Sequence, residues 1–155
     1  MTFLSLLRQN HFISATLSTR PKPKYAAAPL HQNAGIQTLR HLPLNFEDKE
    51  YVIEELTEEC FNGVDIALFS AGGSISKKFG PIAVDRGTIV VDKSSAFRMD
   101  ENVPLVIPEV NPEAMAGIRV GLGKGALIAN PNCSTIICLV ATTPLHRRAK
   151  VQFFF

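Results

Sequence analysis

The first 46 residues contain no aspartate or glutamate, although they carry Arg8, Arg20, Lys22, Lys24 and Arg40. Ser5, Ser14, Thr16, Ser18 and Thr19 are interleaved with apolar Phe3, Leu4, Leu6, Leu7, Phe12, Ile13 and Leu17. An acid-free, hydroxyl-rich, basic stretch has the composition of an organellar transit peptide, with an ordinary disordered tail as the alternative. The uninterrupted apolar core of a secretory signal is missing, and Pro21-Lys22-Pro23-Lys24 reads as a linker. All 14 acidic residues fall from Glu47 onward, against 11 of the 16 basic ones, so the body of the protein is mildly acidic.

Other absences narrow the function further. No apolar run approaches the roughly 18 to 20 residues of a membrane span, so a membrane role is not expected. The formal charge of +2 gives no basic surplus to bind nucleic acid. Cys60, Cys133 and Cys138 are too few for a disulfide framework and have no zinc-knuckle spacing, so no metal site is expected and a reducing compartment fits. The full Gly-x-Gly-x-x-Gly fingerprint is also missing.

What is present is a series of short apolar runs, each closed by small or polar residues. Val64 to Phe69, Thr88 to Asp92 and Ala126 to Ala129 read as buried strands, with a helix over Ile75 to Val84 between the first two despite Gly80-Pro81. Strand, helix and strand make a βαβ unit, so the sheet should be parallel. Tyr51 to Ile53 reads as a short strand, Glu54 to Phe61 as an acidic helix and Pro112 to Ala116 as another short helix. Residues 29–45 show no clear periodicity. Val103 to Val110, with Pro104 and Pro108, suits an extended irregular segment, and Gly121, Gly123 and Gly125 read as a loop. Phe153-Phe154-Phe155 form an aromatic triplet that would be sticky if exposed.

Three loops at the carboxyl ends of those strands carry chemistry. Asn130-Pro131-Asn132-Cys133-Ser134-Thr135 separates an apolar strand from an apolar helix. Asn132 suits an N-cap, which puts Cys133 in the first helical turn, where orphan N–H groups and the macrodipole favour an anion. Helix N-termini in general favour the thiolate, which is the attacking form. The alternative is a small buried apolar residue. Ser70-Ala71-Gly72-Gly73-Ser74 lets a phosphate or flat ring approach the backbone, or simply turns the chain. Arg98 follows the Thr88 to Asp92 strand; it either holds a phosphate or carboxylate or pairs with Asp100 or Glu101 in solvent. The basic cluster His146, Arg147, Arg148 and Lys150 near the last helix end matches the helix dipole.

Taken together, Phe69-Ser70-Ala71-Gly72-Gly73-Ser74, Ser94-Ser95-Ala96-Phe97-Arg98-Met99, Val106-Ile107-Pro108-Glu109-Val110-Asn111 and Asn130 to Thr135 resemble the aspartate-semialdehyde dehydrogenase family, most closely its plant and bacterial forms. The resemblance covers about two thirds of the chain, from about Asn45 to Val151. It implies an α/β fold: a partial doubly wound, Rossmann-like, mostly parallel sheet, without the family's first βα unit and its second catalytic and dimerisation domain. Residues 1–44 would then be leader and linker, and 45–155 a partial NADP-binding domain.

The implied reaction is NADPH-dependent reductive dephosphorylation of aspartyl β-phosphate to aspartate semialdehyde, on the route to lysine, threonine and methionine. Cys133 matches the nucleophile that forms an acyl thioester, Arg98 the phosphate-holding residue, and Asn132 a polar contact beside it. Ser70, Ala71, Gly72 and Gly73 match part of the cofactor loop, whereas Lys93 stands where the family usually has asparagine. The family's glutamine, histidine acid/base and further basic residues have no match here, so the chain alone is expected to be inactive. The destination implied is a plastid, with the mitochondrion as the alternative. Two other readings are N-acetyl-glutamyl-phosphate reductase chemistry and a non-catalytic isoform that pairs with full-length subunits of a homo-oligomeric family.

Overall fold

A computed structural model describes residues 16–17, 43–46, 49–52, 56–118 and 124–152. Three strands form its centre: β4 (Ile66–Phe69), β5 (Ile89–Asp92) and β6 (Ala126–Ala129), with β4 parallel to β5 and β5 parallel to β6. This is the expected mostly parallel α/β sheet. Its far edge is taken by β1 (Thr16–Leu17), which runs antiparallel to β4, with Thr16 opposite Ala67. A two-residue antiparallel pairing occupies part of β4's edge, whose N–H and C=O groups would otherwise be unpaired. A separate hairpin joins β2 (Pro43–Phe46) to β3 (Lys49–Val52).

Helix α1 (Gly73–Asp85) follows β4 and lies on the sheet. Its buried residues are Ser76, Phe79, Gly80 and Ala83, the i, i+3, i+4, i+7 stripe of a helix with one covered face. Pro81 lies on the exposed face, as does Lys77, whose carbonyl loses its helical partner there, and the helix continues through it. Gly80 is required by proximity. A Cβ there would sit 3.0 Å from Leu127 of β6 and 3.3 Å from Phe97.

The core forms where this face meets the strands. Phe61, Val64, Ala67, Phe69, Phe79, Ala83 and Val90 are buried together, with the Phe61 ring 5.9 Å from Phe69 and 6.4 Å from Phe79. Such tilted ring pairs add to simple area burial. Buried Thr88 donates its hydroxyl to the Val64 carbonyl at 3.0 Å, so no polar atom is stranded at the base of the sheet. At that same base Gly125 leaves no space for a side chain: a Cβ would run into the Val84 carbonyl oxygen.

Two short helices are tighter than expected. Among the described residues the acidic helix is a 3₁₀ turn over Glu58–Phe61, and Pro112–Met115 is another. Leu105 makes a parallel bridge to Ala129, with Val106 donating to the Ala129 carbonyl at 3.0 Å, so the proline-flanked segment runs extended along the edge of β6. Helix α2 (Cys133–Ala149) passes through Pro144 and ends on Lys150 in the left-handed conformation, φ 50°. His146, Arg147 and Arg148 fill its last turn, as dipole complementarity predicts. The segment read as a leader, apart from Thr16 and Leu17, residues 53–55, Gly121, Gly123 and the terminal phenylalanines lie outside the described residues.

Candidate active site

The register of the sheet assembles the site. Phe69 of β4, Asp92 of β5 and Ala129 of β6 are direct neighbours across the sheet, so the three strands end level. The three loops that follow therefore leave one edge together, as ligand-binding loops of an open α/β sheet do. Their first residues continue the ladder: Lys93 donates to the Phe69 carbonyl and Asn130 to the Asp92 carbonyl, each at 2.8 Å. The small-residue loop, the arginine loop and the cysteine turn thus start from a common, hydrogen-bonded base.

The cysteine turn is built as the sequence predicts. Asn132 adopts extended φ −63°, ψ 144° and its side-chain Oδ1 accepts from the Ser134 N–H at 2.9 Å, capping α2. Cys133 is the first helical residue and is exposed, which replaces the buried apolar reading. Its thiol donates to the same Oδ1 at 3.7 Å. No acidic residue stands in the first turn of α2, so the positive end of a 17-residue helix meets the sulfur without a competing carboxylate.

Arg98 does not pair with Asp100, whose carboxylate accepts from the Asn102 backbone at 2.9 Å and from its side-chain amide. The guanidinium reaches between two loops instead. Nε donates to the Asn130 carbonyl at 3.0 Å and Nη2 to the Lys93 carbonyl at 2.9 Å. The arginine and the cysteine turn are therefore brought together, through Asn130, three residues before Cys133.

Sequence reasoning missed the group underneath. Asp92 is fully buried, yet its carboxylate has no stranded oxygen: Oδ1 accepts from the Ser76 hydroxyl at 2.7 Å and the Ser94 N–H at 3.0 Å, and Oδ2 from the Ser94 hydroxyl at 2.7 Å. Ser94 Oγ also accepts from the Ala96 N–H at 3.1 Å, which shapes the turn leading to Arg98. One carboxylate thus fastens α1, which begins at the glycine loop, to the arginine loop. The signal was the strand period: Asp92 lies two residues after Val90 and must share its buried face.

The glycine loop suits a bound group approaching the backbone. Gly72 has φ 89° and ψ 161°, a region open essentially to glycine, and a Cβ there would meet nothing within 4 Å. Gly73 opens α1, and a Cβ on it would lie 3.9 Å from Ala96 of the arginine loop, an ordinary contact distance. Ser70, Ala71, Gly72 and Gly73 accordingly present an open backbone beside a helix N-terminus, a fit for the phosphate or flat ring of a nucleotide cofactor. Among the described residues no group of three or more His, Cys, Asp or Glu could hold a metal ion.

These features define an α/β nucleotide-binding domain with an exposed cysteine turn at its ligand edge. The profile of the family described as "Semialdehyde dehydrogenase, NAD binding domain" matches residues 2–118, and the chain belongs to this family. Its relatives there are aspartate-semialdehyde dehydrogenases. That of Aquifex aeolicus is 50% identical over 110 residues, covering 70% of this chain and 31% of the relative; that of Bacillus subtilis is 49% identical over 104 residues, covering 67% and 28%. The crystal structure of aspartate semialdehyde dehydrogenase II from Vibrio cholerae, complexed with ASA, superposes with a TM-score of 0.65 at 44% identity, covering 72% of this chain and 35% of that one. The chain spans about a third of the length of these relatives. An aspartate semialdehyde dehydrogenase from Candida albicans solved with NADP, at 24% identity and TM-score 0.53, shares the fold.

Proposed function

We propose that this chain carries the nucleophile and anion-binding side of an aspartate-semialdehyde dehydrogenase site, with NADP as the cofactor. The observation that supports this most is the capped, exposed Cys133 linked through Asn130 to Arg98 on one level strand edge. The Cys133 thiolate attacks the carbonyl carbon of aspartyl β-phosphate; the C–S bond forms, the bond from carbon to the phosphate oxygen breaks, and inorganic phosphate leaves. Arg98 would hold the departing phosphate dianion, and Asn132, whose Oδ1 caps α2, would add a polar contact. Ser70 to Gly73 would hold a nicotinamide cofactor, which would supply the hydride needed to reach the aldehyde oxidation level, the C–S bond then breaking to return the Cys133 thiolate.

The nucleophilic half-reaction tests this directly. Incubating the purified chain with aspartyl β-phosphate should add one aspartyl group to Cys133, read by intact mass and released by hydroxylamine. An adduct that survives Cys133→Ser, or no adduct at all, overturns the reading. Steady-state NADP-dependent and phosphate-dependent oxidation of aspartate semialdehyde by the chain alone is expected to be undetectable. We also propose plastid targeting by the acid-free segment; retention of the chain outside isolated plastids in an import assay would count against it.

A second reading, association with longer subunits, is favoured by α2. It buries no residue and exposes Ile137, Leu139, Val140 and Leu145. Co-purification with a full-length relative would support this, and a monodisperse monomer at micromolar concentration would oppose it.

A further inference from the structure

The guanidinium of Arg98 offers five N–H donors on a rigid plane. The structure commits one edge of that plane to backbone: Nε–H to the Asn130 carbonyl and one Nη2–H to the Lys93 carbonyl. Those carbonyls belong to the first residues after β6 and β5. Asn130 is also held from the other side, its N–H donating to the Asp92 carbonyl at 2.8 Å. Pro131, next in the chain, is buried, and Asn132 then caps α2. The turn that presents Cys133 is thus fixed at Asn130 by two bonds, one of them from Arg98. Among the described residues the remaining end of the guanidinium, with both Nη1 hydrogens and the second Nη2 hydrogen, makes no bond and can meet an oxyanion.

We infer that Arg98 is a positioning residue for the nucleophile in addition to an anion binder: its Nε and Nη2 edge braces the Asn130 to Asn132 turn and thereby holds Cys133 at the N-terminus of α2. The two tasks use different edges of one planar group. A lysine cannot reproduce this, because an ammonium is a single point on a flexible stem and does not present a fork to two carbonyls. The idea rests on Cys133 being the nucleophile, but its consequence appears without substrate. Loosening the brace lets the first turn of α2 fray, and the sulfur loses part of its contact with the helix N-terminus.

The test is alkylation of the full chain by iodoacetamide at neutral pH, without phosphate or substrate, with each cysteine followed by peptide mass spectrometry. Cys138 is exposed in the same helix and serves as the internal reference. Arg98→Lys and Arg98→Gln should both slow Cys133 relative to Cys138 by about two- to fivefold, the size of a partly lost helix-terminus interaction. Amide exchange of Ser134 to Ile136 should quicken while that of β5 stays unchanged. An unchanged Cys133 to Cys138 ratio in both variants overturns the inference, as does full restoration by lysine, which would assign the effect to charge alone. Should Arg98→Gln fail to fold, Arg98→Lys keeps the charge and most of the stem, and either of its outcomes decides. Because no acyl phosphate is present, a negative result leaves acylation of Cys133 to be judged by its own experiment.

Discussion

Among the described residues the two long helices both contain a proline, yet they stand in opposite surroundings. Helix α1 covers the sheet with a clean stripe of Ser76, Phe79, Gly80 and Ala83, and Pro81 falls on its exposed side. Helix α2 is apolar on several sides and buries nothing; Ile137 is 72% and Leu145 60% exposed. The difference shows which helix builds the core and which one stands outside it. α1 is held by tertiary packing, the usual source of helix stability. α2 depends on the Asn132 cap and the basic last turn, with one longer-range anchor, Arg147 donating to the Val110 carbonyl at 2.9 Å.

Substitutions should separate the two regimes by size. Phe61→Ala removes the ring that touches both Phe69 and Phe79 and should lower unfolding free energy by about 3 to 5 kcal/mol in a urea melt. Asp92→Ala strands the Ser76 and Ser94 donors beneath the site and should cost about 1 to 3 kcal/mol by the same measurement, with faster amide exchange in the Arg98 loop. Asn132→Ala should cost about 1 kcal/mol, with circular dichroism showing loss of helix at the start of α2 and no change in the core. Ile137→Ala should change stability by less than about 0.5 kcal/mol. A large effect there would mean that α2 is covered in solution and would dissolve the contrast.

The smallest effect concerns Glu59. Its own backbone N–H holds its carboxyl below the ordinary glutamate range, aided by the Thr57 side chain and Arg86 and opposed by slight desolvation. A carboxylate with a depressed folded-state pKa stabilises the fold above its unfolded pKa, and that contribution is lost as pH falls through the lower folded value. Glu59→Gln should therefore flatten the acid limb of the stability curve slightly and leave stability differences with wild type smallest at the lowest pH.

Much of this was legible from residue pattern. The three parallel strands, α1 through Gly80-Pro81, and the Asn132 cap with Cys133 in the first turn all follow from period and capping chemistry, because each is decided within a few residues. The four motifs carried the family, and the matched relatives agree. What escaped the sequence depends on long-range register. Arg98 braces Asn130 only because β5 and β6 end level, and nothing near Arg98 in the chain says so. Asp92 was legible as a strand end but not as a buried hub, since its partners Ser76 and Ser94 come from a different element and from the following turn. β2 went unseen because a four-residue strand starting at Pro43 has too little alternation to stand out, and the β1 pairing is set by a strand edge far away in sequence.

The matched strand ends act as a ruler for chemistry. Phe69, Asp92 and Ala129 lie abreast, and one step along a strand is about 3.3 Å. A single-residue slip of β6 against β5 would therefore carry the sulfur away from the arginine by several times the roughly 1 Å misplacement that already costs a catalytic site dearly. The same slip would turn Ala129 off its buried face. Packing of a small alanine in the sheet and the spacing of Cys133 from Arg98 are consequently one quantity, so a tight core also keeps the proposed nucleophile in range of the proposed anion site.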